Sequence, residues 1–72
     1  MACIDPDGTL TITAKFLLKE LNKQRLPPED IAKALGEPLF KIRGNLREMR
    51  EAGLIDEEDG QFYLTEAGKG KL

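Results

Sequence analysis

Histidine is absent from this chain, and Cys3 is its only cysteine. An internal disulfide is therefore impossible, a thiolate/imidazole zinc cage has no ligand set, and Ser/His or Cys/His nucleophilic catalysis has no base. Cys3 has no basic neighbour in sequence to favour its thiolate, so it reads as incidental rather than as a redox sensor. Tryptophan is missing too, and aromatic residues make up only 6% of the chain, so any core must be built mainly from aliphatic side chains. No apolar run approaches the roughly 20 residues that cross a bilayer. The start Met1-Ala2-Cys3-Ile4-Asp5 also lacks a basic segment followed by an apolar stretch. The expectation is a cytoplasmic protein in a reducing compartment, with no membrane partner, metal or other cofactor. Nor does one sign of charge dominate: 11 Lys and Arg against 13 Asp and Glu give a net charge of −2 and a pI near 5.1. Coating of nucleic acid by bulk charge is disfavoured, while a local basic face stays possible.

What is present suits one small domain spanning residues 1–72. The 72 residues, 40% apolar and 33% charged, have room for a core that buries about 60% of the unfolded surface. There is no repeat, low-complexity tract or linker. The densest punctuation, at Asp5-Pro6-Asp7-Gly8, Pro27-Pro28, Gly36-Glu37-Pro38 and Asp56 to Gly60, separates elements rather than domains.

Residues 1–10 read as a loosely ordered arm. Over residues 13–25, Ala14, Leu17, Leu18 and Leu21 recur at helical spacing, with Thr11 or Thr13 as the amino-terminal cap. Phe16 lies off that stripe, near Ile12, which leaves two readings: it is covered by the last strand or the tail, or it is a subunit contact. Residues 28–35 form a second helix, with Pro28 at its first position, Glu29 and Asp30 in its first turn and Gly36 just past its end. Pro38 restarts the chain, and over residues 38–52 Leu39, Ile42, Leu46 and Met49 give the clearest period. Residues 54–65 form a hairpin. Leu54-Ile55 begins a strand after Gly53, Asp56 to Gly60 is the turn, and Gln61 to Thr65 returns with Phe62 and Leu64 on one face. Thr65 can cap a last helical turn, which Gly68 and Gly70 should fray. The fold class is α+β, mainly α.

Three segments carry a family resemblance. They are Leu26-Pro27-Pro28-Glu29-Asp30-Ile31-Ala32-Lys33-Ala34-Leu35-Gly36, then Ile42 to Ile55 with its ending Arg50-Glu51-Ala52-Gly53-Leu54-Ile55, and Phe62-Tyr63-Leu64-Thr65-Glu66-Ala67-Gly68. In this order and spacing the chain resembles the winged helix-turn-helix fold, in particular the bacterial and archaeal regulator type related to the MarR and PadR families, over residues 13–69. The resemblance implies three helices followed by a two-stranded wing, with the third helix reading duplex DNA in transcription regulation.

The residues themselves divide on that function. With Ile42, Leu46 and Met49 turned inward, Phe40, Lys41, Arg43, Gly44 and Arg47 fall outward or at the flanks. From Pro38 to Arg50, four basic side chains against the single acid Glu48 give a local +3. Lys41, Arg43 and Arg47 are candidate groove or phosphate contacts, Arg50 a backbone contact from the flank, and Gln61 a phosphate contact from the wing. Gly44 would let a partner come close. The plainer reading is a solvated helix face with an Arg47–Glu51 pair. Two features resist simple DNA binding: the acidic wing, Asp56, Glu57, Glu58 and Asp59, and Phe40, which makes a better protein anchor than a phosphate contact. Three neutralised phosphates would give a salt slope of only about −2.7, so a lone copy should bind duplex DNA weakly. The alternative is a winged-helix protein-interaction module that docks a basic partner through Phe40, Gly44 and the acidic wing, with Phe16 and Ile12 as a further contact or a weak homodimer surface.

Enzymatic readings are set aside. Asp5-Pro6-Asp7-Gly8-Thr9 matches the Asp-x-Asp-Gly-Thr pattern of haloacid-dehalogenase-like phosphatases, but that chemistry needs a central parallel strand before the first aspartate and a far larger domain. The acidic stretches lack the 12-residue ligand spacing of a calcium loop.

Overall fold

The computed structural model of the chain describes residues 10–72. The Asp5-Pro6-Asp7-Gly8-Thr9 segment, Cys3 and most of the expected arm lie outside the described residues. Within them, α1 (Ile12–Lys23), α2 (Pro28–Leu35) and α3 (Leu39–Glu51) precede an antiparallel hairpin of β1 (Ile55–Glu58) and β2 (Gln61–Leu64), and a single turn, α4 (Glu66–Lys69), follows. The class is α+β, mainly α.

Each boundary has a local cause. The Thr11 hydroxyl accepts the Ala14 N–H at 3.2 Å, so Thr11 rather than Thr13 is the cap and α1 starts at Ile12. The helix stops at Lys23 instead of Arg25 because the chain is needed elsewhere. Gln24 is fully extended, and Leu26 exchanges two backbone hydrogen bonds with Phe62, donating at 3.2 Å and accepting at 2.8 Å. A helical Leu26 could not reach them.

Helices α2 and α3 end in the same way. Gly36 (φ 66°) and Gly53 (φ 81°) adopt the left-handed conformation. The next amides, of Glu37 and Leu54, bond back to the carbonyls of Ala32 and Met49, satisfying groups that would otherwise be orphaned. Pro38 sits just before α3 as its extended cap rather than within it, and Ala52 lies just beyond its end, so the helix is one residue shorter at each end than the 38–52 expectation.

The hairpin corrects the sequence reading more deeply. Asp56, Glu57 and Glu58 are strand residues, opposite Tyr63, Phe62 and Gln61, and only Asp59-Gly60 is turn. Both turn residues have positive φ (54° and 79°), the pattern of the two-residue hairpin that an Asp-Gly pair favours. Both backbone groups of Phe62 bond to Leu26, so β2 has the 24–26 segment on one edge and β1 on the other.

The core gathers Leu17, Leu18 and Leu21 of α1, Ile31 of α2, Ile42, Leu46 and Met49 of α3, and Leu54, Ile55, Phe62 and Leu64 from the hairpin region. The carboxyl-terminal turn locks onto this core. Thr65 donates to the Gly53 carbonyl at 2.6 Å and accepts the Gly68 N–H at 3.2 Å, while its own N–H bonds the Leu54 carbonyl at 3.1 Å. Gly68 is therefore not a fraying point. It is buried, and a Cβ there would stand 2.1 Å from the Leu54 carbonyl oxygen.

Candidate functional site

The outer surface of α3 follows from its inner one. Burying Ile42, Leu46 and Met49 leaves Phe40, Gly44, Arg47 and Glu51 along the opposite ridge, since residues three and four apart stack on one face. Phe40 is 79% exposed, the most exposed large apolar side chain among the described residues, and a Cβ at Gly44 would meet nothing within 4 Å. This ridge lies open to solvent.

The basic residues divide about it. Arg43, Arg47 and Arg50 share one flank, where with Glu51 they edge a groove of about 530 Å³ whose apolar lining is Leu46, Phe62 and Pro28. Lys41 does not join them. At about 100° per residue it stands about 180° from Arg50, on the other side of the ridge. The four cations of α3 therefore do not make one continuous face.

Their partners were not foreseen. Lys41 Nζ lies 3.2 Å from Glu37, and Arg43 Nη2 lies 3.8 Å from Glu29. Arg50 is held by the hairpin, with Nε 3.3 Å from Asp56 and Nη1 3.3 Å from Glu57. Arg47 forms no ion pair among the described residues, so the expected Arg47–Glu51 bridge is not made. Glu37 stands four residues before Lys41, a spacing visible in the sequence, whereas Glu29, Asp56 and Glu57 belong to other elements, where no helical spacing announces them. All these side chains keep more than a quarter of their surface in water, and such pairs contribute at most about 1 kcal/mol, so a stronger anion can displace them.

Nearer the tip of the hairpin, Arg25 lies 4.4 Å from the Tyr63 ring centroid and 2.5 Å from Glu58. Three of the hairpin acids are thus engaged, Asp56 and Glu57 by Arg50 and Glu58 by Arg25. Gln61 is exposed opposite Glu58 and alternates with Phe62, so it faces away from the groove that Phe62 lines. Ile12 (73% exposed) and Phe16 (52%) lie on α1, with Lys19 Nζ 5.9 Å from the Phe16 ring centroid. No described strand or tail covers Phe16.

No group of three or more potential metal ligands occurs among the described residues, and no helix there is long and apolar enough to cross a membrane. Comparison with known proteins finds no matching family model, curated protein or solved structure.

Proposed function

We propose that the chain is a winged-helix DNA-binding protein that presents α3 to the major groove of duplex DNA in transcription regulation. The observation that carries this reading is the open outer face of α3. Phe40, Gly44 and Arg47 stand along it without cover from another described element, Arg43 and Arg50 stand beside it, and the hairpin flanks it. The Leu26–Phe62 pairing ties the segment between α1 and α2 to the hairpin and so fixes the hairpin beside the helices. A major groove about 12 Å wide admits such a helix, and arginine can bond both acceptors on a guanine edge.

Arg47 is the cation most available for this role, Arg43 must exchange Glu29 for phosphate or base, and Arg50 must leave the hairpin acids. Few phosphate contacts and an acidic wing make a single copy a weak binder. The test is a titration of random duplex at low salt with wild type and with Arg43→Ala plus Arg47→Ala. Wild type should bind, more weakly as salt rises, and the double variant should lose most of the affinity and lower the salt slope by about 1.8. Unchanged binding by the double variant would remove α3 as the reading element.

A specific observation favours a second reading. Phe40 is the most exposed large apolar side chain among the described residues, and three of the four α3 cations already have acidic neighbours, as expected for a surface that docks a protein. Under that reading Phe40→Ala abolishes partner capture and duplex DNA does not bind.

A further inference from the structure

We infer that Phe40 is a base-reading residue that recognises the C5-methyl group of pyrimidines in the major groove. The inference rests on the DNA-binding reading of α3 and names which chemical group that face selects.

Phe40 occupies the second position of α3 and heads the outward ridge, followed one turn later by Gly44 and then by Arg47. Placing a large apolar ring in water contributes nothing to the core, and Phe40 is not among the residues packed against it. Its sequence surroundings are cationic, with Lys41, Arg43 and Arg47 within the next two turns. Arg47 has no ion pair among the described residues, and Arg43 beside it holds Glu29 only through an exposed pair that a polyanion can displace, so a polyanionic partner fits this face, provided it also offers an apolar group to the ring. On the edge of a DNA major groove that apolar group is the thymine methyl, and contact between an apolar side chain and this methyl is an established form of direct readout. Gly44 supplies the clearance: it presents no side chain, and the space where its Cβ would stand is open, so base edges can approach the helix backbone beside the ring. Arg47, without an ion pair among the described residues, continues the ridge as a donor toward guanine or phosphate.

The proposal is tested with four short duplexes that differ in pairs only by the methyl group. These are alternating adenine–thymine against adenine–uracil, and alternating guanine–cytosine against guanine–5-methylcytosine, each titrated by fluorescence anisotropy at low salt. Wild type should prefer the methylated member of both pairs, by about fourfold for each methyl removed from water. Phe40→Ala should bind both members of a pair equally, and Phe40→Leu should keep the preference. Phe40 is exposed, so an unchanged melting temperature of both variants separates loss of reading from loss of fold. Saturable wild-type binding that ignores the methyl in both pairs, or a preference that survives Phe40→Ala, overturns the inference and leaves the DNA-binding reading standing. Failure to bind any of the four duplexes overturns both.

Discussion

Gly68 and Gly44 are the same residue in helical surroundings, and they serve opposite ends. At Gly68 the backbone of α4 lies so near the Leu54 carbonyl that one added methyl would overlap it at 2.1 Å, with Leu64 Cδ1 2.8 Å away on the same side. At Gly44 the same methyl would meet nothing. One glycine is required by packing within the chain, while the other costs helix stability of about 1 kcal/mol relative to alanine and relieves no crowding inside the fold. The contrast separates a closed seam, where α3, the hairpin and α4 meet, from an open ridge, where α3 faces outward. Burial explains the first, whereas nothing in the packing of the chain requires the second.

The seam should break first and most severely. Gly68→Ala is expected to destabilise the fold by about 3 kcal/mol, because the clash is with backbone and cannot be relieved by a rotamer change. For a domain of this size that lowers the melting temperature by about 15 °C. A melting temperature within a few degrees of wild type would show that α4 is not held against Leu54. Thr65→Val, which keeps the side-chain shape but loses the bonds to the Gly53 carbonyl and the Gly68 N–H, should cost about 1–2 kcal/mol by urea unfolding.

The seam also marks where sequence reasoning succeeds and where it stops. Helix α2 was legible because Pro28, Glu29, Asp30 and Gly36 are local signals at their proper positions, and α3 because Ile42, Leu46 and Met49 repeat along one face. The start of β1 at Ile55 was legible too, but its continuation through Asp56, Glu57 and Glu58 was not, since these residues have low strand propensity and resemble turn residues. What makes them a strand is the tight Asp59-Gly60 reversal and the cross-strand register with Tyr63, Phe62 and Gln61. The single Leu26–Phe62 bridge has no periodicity to detect. At the candidate site, the outward position of Phe40, Gly44 and Arg47 was legible from helical geometry. The capture of Arg50 by the hairpin was not, because it depends on how two elements pack. Of the four cations behind the local +3, Lys41, Arg43 and Arg50 have acidic partners in the fold, and only Arg47 forms no ion pair among the described residues.

The ridge should respond to the converse substitution. Gly44→Ala is expected to raise stability by about 0.5–1 kcal/mol, since alanine restricts the unfolded chain and clashes with nothing. The same variant should weaken duplex binding if base edges approach the backbone there. Greater stability with unchanged binding would show that the space beside Gly44 is not used, and would weaken the contrast with Gly68.

The smallest effect on stability, and the finest test of the open face, concerns the contact between ridge and hairpin. Asp56→Asn plus Glu57→Gln keeps side-chain size but removes both charges that hold Arg50. Exposed ion pairs contribute little, so unfolding free energy should move by no more than about 0.5 kcal/mol. Binding should respond differently. The net charge rises from −2 to zero, repulsion between β1 and the phosphates weakens, and Arg50 is released. Affinity for duplex DNA should increase several-fold, and recruitment of one further phosphate should steepen the salt slope by about 0.9. If affinity rises without a steeper slope, only the general repulsion has been relieved and Arg50 stays off the backbone. If affinity falls, the hairpin acids take part in recognition, as the protein-docking reading requires, and the open ridge has a protein rather than a nucleic acid for its partner.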